Sequence, residues 1–362
     1  MRVAHITPTY FDNNSVIGGG ERYPTELATW MSKQTPTTLV SFAPSRQTRY
    51  LSSLRVETYP VKHFIHGNRV NPVSLRYLTS VINADIVHIH NISTVVSDMA
   101  CLVGRLLGKK VFVTDYGGGG SLVLNQKLPV FQGYQGAITY SQFGVSFIPE
   151  SLQRKATLIK GGIDIDKFCP DPSLRKENKI LYVGRLMPHK GINYLVDAMR
   201  LLRATDYRLV IIGRAYHDQF YSDLKEQAEG LPIEFVHDAN DQRLINEYRT
   251  AKVTVLPSVH TTCYGNYTPV PELMGFTLLE SQACGTPAIC TDAGAMQEFV
   301  EHGQTGWVVE QNSGKAIAEA IHQIINLSPE EFEQWQTRSR QCVTCLNWES
   351  VVEQHLELYA KS

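Results

Sequence analysis

The chain has 362 residues, of which 43% are hydrophobic and 19% are charged, and its formal net charge at pH 7 is −1. This length is more than one hydrophobic core usually serves, so two domains are expected in a globular protein of ordinary composition. No run is apolar enough to span a membrane, and neither an aromatic-and-basic RNA motif nor a helix-turn-helix signature is present. The composition therefore argues against an integral membrane protein and against a nucleic-acid-binding protein.

Short apolar runs alternate with amphipathic helical segments, which predicts two doubly wound parallel sheets. In the first half, strands are predicted at residues 3–7, 38–42, 86–89 and 110–114, with a helix at 20–31 after a glycine-rich loop. The periodic pattern breaks at residues 163–172, where the domain boundary is placed. In the second half, strands are predicted at residues 179–183, 208–212, 233–236, 253–256 and 288–290, and a helix is predicted at 348–359.

The N-terminus and the cysteines both favour a cytoplasmic location. The first ten residues alternate like a strand and lack the apolar core and cleavage site of a signal peptide. The seven cysteines are an odd number spread through both halves, as expected for reduced thiols. Cys342 and Cys345 form a single Cys-x-x-Cys with no second pair, so no zinc or redox site is expected there.

The two halves of the chain differ in charge. Residues 1–160 hold 16 Lys and Arg against 8 Asp and Glu, whereas the rest of the chain holds 18 against 27. The basic side chains recur through one segment, at Arg46, Arg49, Arg55, Lys62, Arg69 and Arg76. This pattern indicates an anionic partner or an anionic membrane surface. A basic face that only keeps the protein soluble explains it equally well.

Residues 271–287 are the most informative about function. Glu272 and Glu280 stand eight positions apart there, and the periodicity of residues 276–284 predicts a helix preceded by Gly275. The free amides of a helix N-terminus, at Gly275, Phe276 and Thr277, suit a diphosphate. Glu280, one turn inside, is placed to take both hydroxyls of a ribose. The alternative is a pair of surface glutamates that flank a buried helix.

A second segment, Leu181-Tyr-Val-Gly-Arg-Leu-Met-Pro-His-Lys-Gly191, runs from a strand into a loop that carries Arg185 and Lys190. Ligands of open α/β sheets dock at the carboxyl ends of parallel strands, and a diphosphate is the natural counter-charge for two cations there. A solvated loop with two incidental cations is the alternative, and the glutamate segment downstream weakens it.

Glycines and histidines mark the ends of strands in the first half. Gly18 to Gly20 precede a helix, so the backbone there can approach a phosphate or a sugar. They are not a dinucleotide fingerprint, because a long loop separates them from the strand and Tyr23 replaces the third glycine. His88 and His90 end a strand on one face. No third ligand lies nearby in sequence, so a zinc site is not expected.

These motifs resemble those of the retaining glycosyltransferases of family 4, of the bacterial polysaccharide type. The resemblance spans nearly the whole chain, and its pieces are Gly18-Gly-Gly-Glu-Arg-Tyr23, Asp85-Ile-Val-His-Ile-His90, Gly161-Gly-Ile-Asp-Ile-Asp-Lys-Phe168, the Arg185 and Lys190 loop, the Glu272 and Glu280 pair, and Thr305-Gly-Trp-Val308. It implies an α/β protein of GT-B architecture, in which two Rossmann-like, doubly wound parallel-sheet domains face each other across a cleft. An acceptor-binding domain would span residues 1–165, with a helix at 347–362 packed back on it, and a donor-binding domain would span residues 166–346.

The resemblance, together with the motifs above, implies a set of site residues. Catalytic roles fall to His90, Glu272, Arg185 and Lys190, and His88 is expected to be a packed structural histidine. Donor binding involves Arg185, Lys190 and Glu272 together with Gly19, Gly20, His237, Asp238, Ala239, Gly275, Phe276, Thr277, Leu278 and Glu280. The acceptor side is lined by Asp115, Tyr116 and Gly117.

No metal or other cofactor is expected. The sequence Asp164-Ile-Asp166 matches the manganese-binding Asp-x-Asp of a different glycosyltransferase fold. Its surroundings resemble the interdomain segment of family 4 instead, and Arg185 with Lys190 already supplies positive charge.

The resemblance implies transfer of a hexose, with retention of configuration, from a nucleotide sugar to a saccharide or a lipid-linked acceptor. UDP-glucose is the favoured donor, and exopolysaccharide or cell-envelope glycan assembly is the favoured role. The enzyme would be cytoplasmic, with peripheral contact to the anionic inner face of the membrane as an option. The family often has Glu-Gly-Phe-Gly where this chain has Glu272-Leu-Met-Gly-Phe-Thr, which leaves the donor sugar open. A nucleotide-sugar 2-epimerase of the same architecture and an inactive nucleotide-sugar-binding subunit are the alternatives.

Overall fold

The structure is a computed structural model, and it describes residues 1–11, 19–69, 71–117, 124 and 127–361. The chain divides into two compact units, Met1–Gly162 with Trp348–Ser362, and Ile163–Asn347. The predicted domain limits, at residues 165 and 347, lie within three residues of these. None of the helices in the described part of the chain is long and apolar enough to cross a membrane.

The first unit is an α/β structure. Its strands are β1 (Val3–Tyr10), β2 (Thr37–Ala43), β3 (Gln47–Leu51), β4 (Leu54–Pro60), β5 (His63–Phe64), β6 (Pro72–Val73), β7 (Ile86–His90), β8 (Lys110–Thr114), β9 (Gly136–Thr139) and β10 (Ala156–Leu158). Its helices are α1 (Gly19–Met31), α2 (Leu78–Asn83), α3 (Val95–Leu106), α4 (Gln142–Val145), α5 (Glu150–Gln153) and the last helix of the chain, α12 (Trp348–Lys361).

One sheet organises this unit, with the strand order β10-β9-β8-β7-β1-β2-β4-β3. Neighbouring strands are parallel except for β3, which pairs with β4 in the antiparallel sense, and β5 and β6 form a separate antiparallel pair. The central strands are apolar runs because helices cover the sheet. Their side chains, such as Ile6, Phe42, Ile89 and Val113, form the core against α2 and α3.

Helix α12 packs against α1 within the first unit. Its first residue, Trp348, lies with its ring 5.0 Å from that of Tyr23. Gly162 lies against both rings, and a Cβ atom added there would fall within 2.9 Å of Tyr23 and 2.8 Å of Trp348. Its φ of +104° also favours glycine. At the other end of α12, Tyr359 donates a hydrogen bond of 2.6 Å to Nδ1 of His88.

The second unit is also α/β. Its strands are β11 (Lys179–Val183), β12 (Arg208–Ile212), β13 (Ile233–Val236), β14 (Val253–Leu256), β15 (Ala288–Thr291) and β16 (Gly306–Val309). Its helices are α6 (Ile192–Leu201), α7 (Asp218–Gln227), α8 (Asp241–Thr250), α9 (Phe276–Ala283), α10 (Gly314–Ile325) and α11 (Pro329–Thr344). The strands form one parallel sheet in the order β13-β12-β11-β14-β15-β16, so their carboxyl ends share one edge.

Every strand predicted from the sequence is present, and the α/β, doubly wound prediction is confirmed. Most of the strands that the prediction missed are short, exposed or at edges, but β4 is a buried seven-residue strand inside the sheet. All five residues of β3 are exposed, so that strand has neither an apolar run nor an inward-facing alternation. It forms only because β4 offers a free edge, which a local pattern cannot reveal.

Candidate functional site

The candidate donor site lies at the carboxyl edge of the second sheet, where β11 is followed by Gly184 and β12 by Gly213. A Cβ atom added at Gly213 would stand 1.8 Å from the carbonyl oxygen of Gly184, so the two turns can approach only because residue 213 is glycine. The exposed arginines Arg185 and Arg214 follow these glycines. Among the described residues, no carboxylate pairs with the guanidinium of either. Two arginines thus stand side by side where strands of an open sheet receive ligands.

Lys190 is held by a tight turn at the same edge. The turn Pro188–Lys190 is followed by Gly191, with φ +64°, where a Cβ atom would lie 2.0 Å from the carbonyl oxygen of Pro257. The amide of Val259 donates to the carbonyl of His189 over 2.9 Å, which ties this turn to the loop after β14. Lys190 is only 8% exposed. A lysine this enclosed requires an anionic partner.

That partner is Glu272. The Nζ atom of Lys190 contacts Oε1 of Glu272, and the hydroxyl of Ser258 donates to the same oxygen over 3.0 Å. The backbone of Glu272 is also fixed, because the amide of Ala295 donates to its carbonyl over 3.0 Å. Gly294 lies so close that a Cβ atom there would stand 2.4 Å from that carbonyl oxygen. The structure therefore brings together two residues that the sequence predicted separately.

Helix α9 begins immediately after this pair. Its N-cap is Gly275, with φ +79°, which has no side chain to cap the helix. The side chain of Thr277 donates to the carbonyl of Val183 over 3.0 Å, which joins the helix start to the end of β11. Phe276 and Thr277 are half-buried and Leu278 is buried in the core. The predicted helix start is confirmed, and its dipole favours an anion beside Lys190.

Glu280 lies one turn inside α9, as predicted, and is 3% exposed. The hydroxyl of Tyr248 donates to its Oε2 over 2.8 Å. Burial raises the pKa of Tyr248 well above its usual value, and the Glu280 charge raises it further, so Tyr248 is a permanent donor. The ribose-binding role of Glu280 stays a prediction.

The residues predicted to contact the base follow β13, at the edge of the sheet. His237 and Asp238 are exposed and Ala239 is half-buried. The His237 ring donates from Nδ1 to the carbonyl of Gly213 over 2.7 Å, and Tyr221 donates to its Nε2 over 2.8 Å. The ring is therefore fixed beside the turn that carries Arg214.

In the first unit, His90 lies at the centre of a directed chain of hydrogen bonds. His5 contacts the sulfur of Met31 over 3.3 Å, and because a thioether only accepts, His5 must donate from Nε2. Its Nδ1 then accepts from Nε2 of His90 over 2.9 Å, and Nδ1 of His90 accepts from the hydroxyl of Tyr116 over 2.6 Å. Every proton in the chain Tyr116–His90–His5–Met31 is thereby assigned.

Burial keeps these histidines neutral. Burial is the main reason that the pKa of His90 lies well below its usual value, and His5 and His355 lower it further. Burial likewise lowers the pKa of His5 to about 3. His90 has no exposed surface, whereas Tyr116 is half-buried, so in this structure the member of the chain that reaches solvent is Tyr116. The catalytic role of His90 stays a prediction.

Residues predicted for the donor and for the acceptor lie near Tyr116 in the first unit, and their roles stay predictions. Gly20, in the first turn of α1, would place a Cβ atom 3.7 Å from Cβ of Tyr116. Asp115 accepts hydrogen bonds from the amides of Ile92 and Gly117, each over 3.2 Å, and burial raises the pKa of its carboxyl. Gly19 is the first residue of α1, while Gly18 and Gly118 to Gly120 lie outside the described residues.

A third histidine lies near His88 and His90 in space, although none is near them in sequence. His5 on β1, next to β7, is a third histidine, and ligand atoms of His5, His88 and His90 lie within 4.8 Å of one another. Their ring nitrogens are engaged in hydrogen bonds, and those of His88 bind Thr114 over 2.7 Å and Tyr359 over 2.6 Å. His88 thus fits the structural role predicted for it, and the absence of a metal stays a prediction.

The Asp-x-Asp segment opens the second unit and caps a turn. Oδ1 of Asp164 accepts from the amides of Asp166 and Lys167 over 3.2 and 2.9 Å. These bonds orient Asp164 toward its own backbone, in agreement with its assignment to the interdomain segment.

Four residues of these two sites were not predicted from the sequence, namely Ser258, Arg214, His189 and His5. Arg214 follows a predicted strand as Arg185 does, so the same reasoning applied to β12 finds it. Ser258 and His5 are brought in by the alignment of neighbouring strands, which no local motif shows.

Part of the chain matches the model of a known protein family. Residues 166–341 match the family model for glycosyl transferases group 1. That segment belongs to the glycosyl transferases group 1 family. The predicted resemblance to a GT-B glycosyltransferase is thereby confirmed, while retention of configuration stays a prediction.

Curated glycosyltransferases are similar to this chain, one of them over nearly its full length. A phosphatidyl-myo-inositol mannosyltransferase of Mycobacterium leprae is 24% identical over 99% of this chain and 96% of its own length. A capsular polysaccharide biosynthesis glycosyltransferase of Staphylococcus aureus is 29% identical over 46% of this chain and 43% of its own. Other curated relatives are matched over only 36–56% of their length. The 2-epimerase alternative receives no support from this glycosyltransferase group.

A solved structure shows the same fold over the whole chain. HepE of Anabaena, in complex with UDP and glucose, superposes with a TM-score of 0.73 at 15% identity, covering 100% of both chains. At this identity the likeness establishes the GT-B fold.

Proposed function

We propose that this group 1 glycosyltransferase transfers a hexose from a nucleotide sugar, with UDP-glucose as the favoured donor, to a saccharide or lipid-linked acceptor. The second unit binds the donor, and the first unit binds the acceptor. The observation that carries the proposal is the ion pair between Lys190 and Glu272 close to the N-terminus of α9.

The site matches the charge of a nucleoside diphosphate. Arg185 is exposed, Lys190 is enclosed, and the start of α9 adds the positive end of a helix dipole. These groups come from two segments whose ends are joined by the bond from Thr277 to Val183. A β-phosphate between them is stabilised most when it carries the negative charge of the leaving group, which is the condition for catalysis.

Glu272 and Glu280 take different parts of the donor in this proposal. Glu272 faces Lys190 and Ser258, so it accepts hydrogen bonds from hydroxyls of the hexose next to the diphosphate. Glu280, fixed by Tyr248, accepts from the ribose hydroxyls. The backbone at residues 237–239 contacts the base. We propose transfer with retention of configuration, with the leaving diphosphate and the incoming acceptor on one face of the sugar.

No metal is needed in this proposal, because Arg185, Lys190 and the α9 dipole supply the positive charge that a divalent ion supplies elsewhere. In the first unit, Tyr116 contacts the acceptor side and His90 supports it through the hydrogen bond of 2.6 Å.

The relatives support a glycan-building role. The Staphylococcus aureus relative is named for capsular polysaccharide biosynthesis, the Mycobacterium leprae relative for mannosyl transfer to a phosphatidylinositol, and HepE is bound to UDP and glucose. We propose exopolysaccharide or cell-envelope glycan assembly at the cytoplasmic side of the membrane. The excess of Lys and Arg in residues 1–160 suits an anionic acceptor or membrane surface.

A nucleotide screen tests the proposal. Thermal shift and calorimetry with UDP, GDP, ADP and their hexose conjugates, with and without EDTA, should show tightest binding for UDP conjugates and no effect of EDTA. Arg185→Ala should weaken UDP binding by about tenfold or more, because a charge-assisted bond is lost. If EDTA abolishes binding, the enzyme depends on a metal. If GDP-mannose binds most tightly, it replaces UDP-glucose as the proposed donor.

A further inference from the structure

The loop between β14 and α9 contains a small hairpin at residues 260–268. Thr261 and Tyr267 form an antiparallel bridge, and the amide of Thr268 donates to the carbonyl of His260 over 2.8 Å. Gly265, with φ +78°, makes its turn. The hairpin is thus an ordered structure that begins two residues after Ser258 and ends four residues before Glu272.

Side chains fasten this hairpin to the rest of the second unit. Nδ1 of His260 donates to the carbonyl of Thr268 over 2.9 Å, so its Nε2 is the acceptor for the amide of Gly294 at 3.3 Å. Asn312 donates to the carbonyl of Thr261 over 2.8 Å. Because Gly294 packs on the backbone of Glu272, the base of the hairpin is part of the wall that holds Glu272.

Two tyrosines of the hairpin have different environments. Tyr264 donates from its hydroxyl to Asp223 on α7, and its ring is stacked with that of His217 at 5.8 Å, so it anchors the tip. Tyr267 is stacked on His260, with ring centroids 5.7 Å apart and planes inclined by 17°. Yet Tyr267 remains 68% exposed. The ring of Tyr267 is therefore supported by His260 on one face and open to solvent on the other.

Such a ring suits one kind of ligand. The face of an aromatic ring is electron-rich and attracts the polarised C–H groups that a pyranose presents on its apolar face, while a tyrosine loses little entropy on binding. The neighbours Thr261, Asn266 and Thr268 offer hydroxyl and amide groups to sugar hydroxyls. One exposed ring is far too small for a stable protein interface.

We propose that Tyr267, supported by His260, is a stacking platform for a pyranose ring of the acceptor saccharide. The acceptor is the occupant because Tyr267 is exposed and lies outside the charged group of Lys190, Glu272 and Arg185 that suits the donor. This inference rests on the proposed function, and it adds a saccharide subsite on the second unit to the acceptor residues proposed in the first unit.

The test measures saccharide binding directly, without nucleotide. Gluco-, galacto- and manno-tetraoses are titrated against wild type, Tyr267→Ala and Tyr267→Phe by saturation-transfer NMR, and UDP binding is measured on the same samples. Tyr50→Ala is the matched control, because Tyr50 is 67% exposed on the edge strand β3 of the other unit. Thermal melting verifies that each variant is folded.

The wild type should bind at least one tetraose, and Tyr267→Ala should weaken that binding by about five- to tenfold. Tyr267→Phe, which keeps the ring, and Tyr50→Ala should bind like the wild type, and UDP affinity should be unchanged in all variants. The proposal is overturned if the wild type binds none of the tetraoses, if Tyr267→Ala behaves like Tyr50→Ala, or if it weakens UDP instead. Ring-dependent saccharide binding without any UDP binding would retain the platform and reject the proposed donor.

Discussion

Lys190 and Glu272, 82 positions apart in the sequence, form an ion pair whose side chains are only 10% and 14% exposed. The charge of each side chain offsets the cost of removing the other charge from water. A bound diphosphate must therefore compete with Glu272 for the Lys190 ammonium group, so that donor binding rearranges a pair that already exists.

Replacing Glu272 by Gln should separate binding from catalysis. The variant loses a negative charge beside the diphosphate, so UDP should bind about three- to tenfold more tightly. Transfer from UDP-glucose should fall by about a hundredfold, because the hexose is no longer oriented. Calorimetry and initial rates measure the two effects, with the exposed Glu310→Gln as control. Weaker UDP binding in Glu272→Gln would show that Glu272 organises the phosphate site instead of competing for it.

Gly191 should be indispensable for the Lys190 turn. A Cβ atom there meets the Pro257 carbonyl oxygen at 2.0 Å, whereas at Gly230, which has a similar φ of +72°, it meets nothing within 4 Å. Gly230→Ala should cost about 1–2 kcal/mol of unfolding free energy from backbone strain alone. Gly191→Ala should cost more and should also weaken UDP binding, as urea unfolding and calorimetry can measure. Equal losses in both variants would mean that the turn accommodates a side chain.

Tyr248 should stabilise the buried carboxylate of Glu280. Tyr248→Phe removes the hydrogen bond of 2.8 Å to Glu280 and keeps the ring, so it should cost about 1.5–3 kcal/mol of unfolding free energy. If Glu280 holds the ribose, Glu280→Gln should abolish the preference for UDP over 2′-deoxy-UDP. Competition calorimetry with both nucleotides measures this preference, and an unchanged preference would assign the ribose to another residue.

The buried histidines should make the first unit sensitive to acid. The pKa of His5 falls from 6.5 to about 3 and that of His355 to about 4, both mainly through burial. Because these pKa values lie below those of the unfolded chain, the unfolded state binds more protons below pH 6.5, and stability falls as the pH drops from 6.5 toward 3. Each histidine contributes up to about 1.4 kcal/mol per pH unit.

Urea unfolding between pH 7 and pH 4.5, followed by tryptophan fluorescence, measures this dependence. The variant His5→Gln, which cannot take up the proton, should show a shallower decline than the wild type, although it is less stable at pH 7. The same slope in both proteins would mean that His5 is protonated in the folded state.

The sequence predicted the elements whose pattern is local. Residues 180–183 of β11 form an apolar run because the strand lies between two parallel neighbours, and the limits of β11 were predicted correctly. The start of α9 was predicted because Gly275 interrupts an apolar run. The strand β16 was missed, since Gly306–Val309 is too short to show a period and only its pairing with β15 makes it a strand.

In the site, too, the residues of local motifs were predicted, but the contacts between them were not. Arg185, Lys190 and Glu272 stand in recognisable segments, but the contact of Lys190 with Glu272 depends on the turn at Gly191 and on the packing of Gly294. The partner of His90 could not be predicted, because His5 reaches it only through the pairing of β1 with β7.

The second unit is expected to clamp a nucleoside diphosphate between Arg185, Lys190 and the start of α9. The first measurement to make is a calorimetric titration of UDP into wild type, Arg185→Ala and Lys190→Ala, with the exposed Lys315→Ala on α10 as the control. The wild type and the control should show saturable binding, and the other two variants should bind about tenfold or more weakly. Equal UDP affinity in all four proteins, or no binding by the wild type, would show that this clamp does not exist.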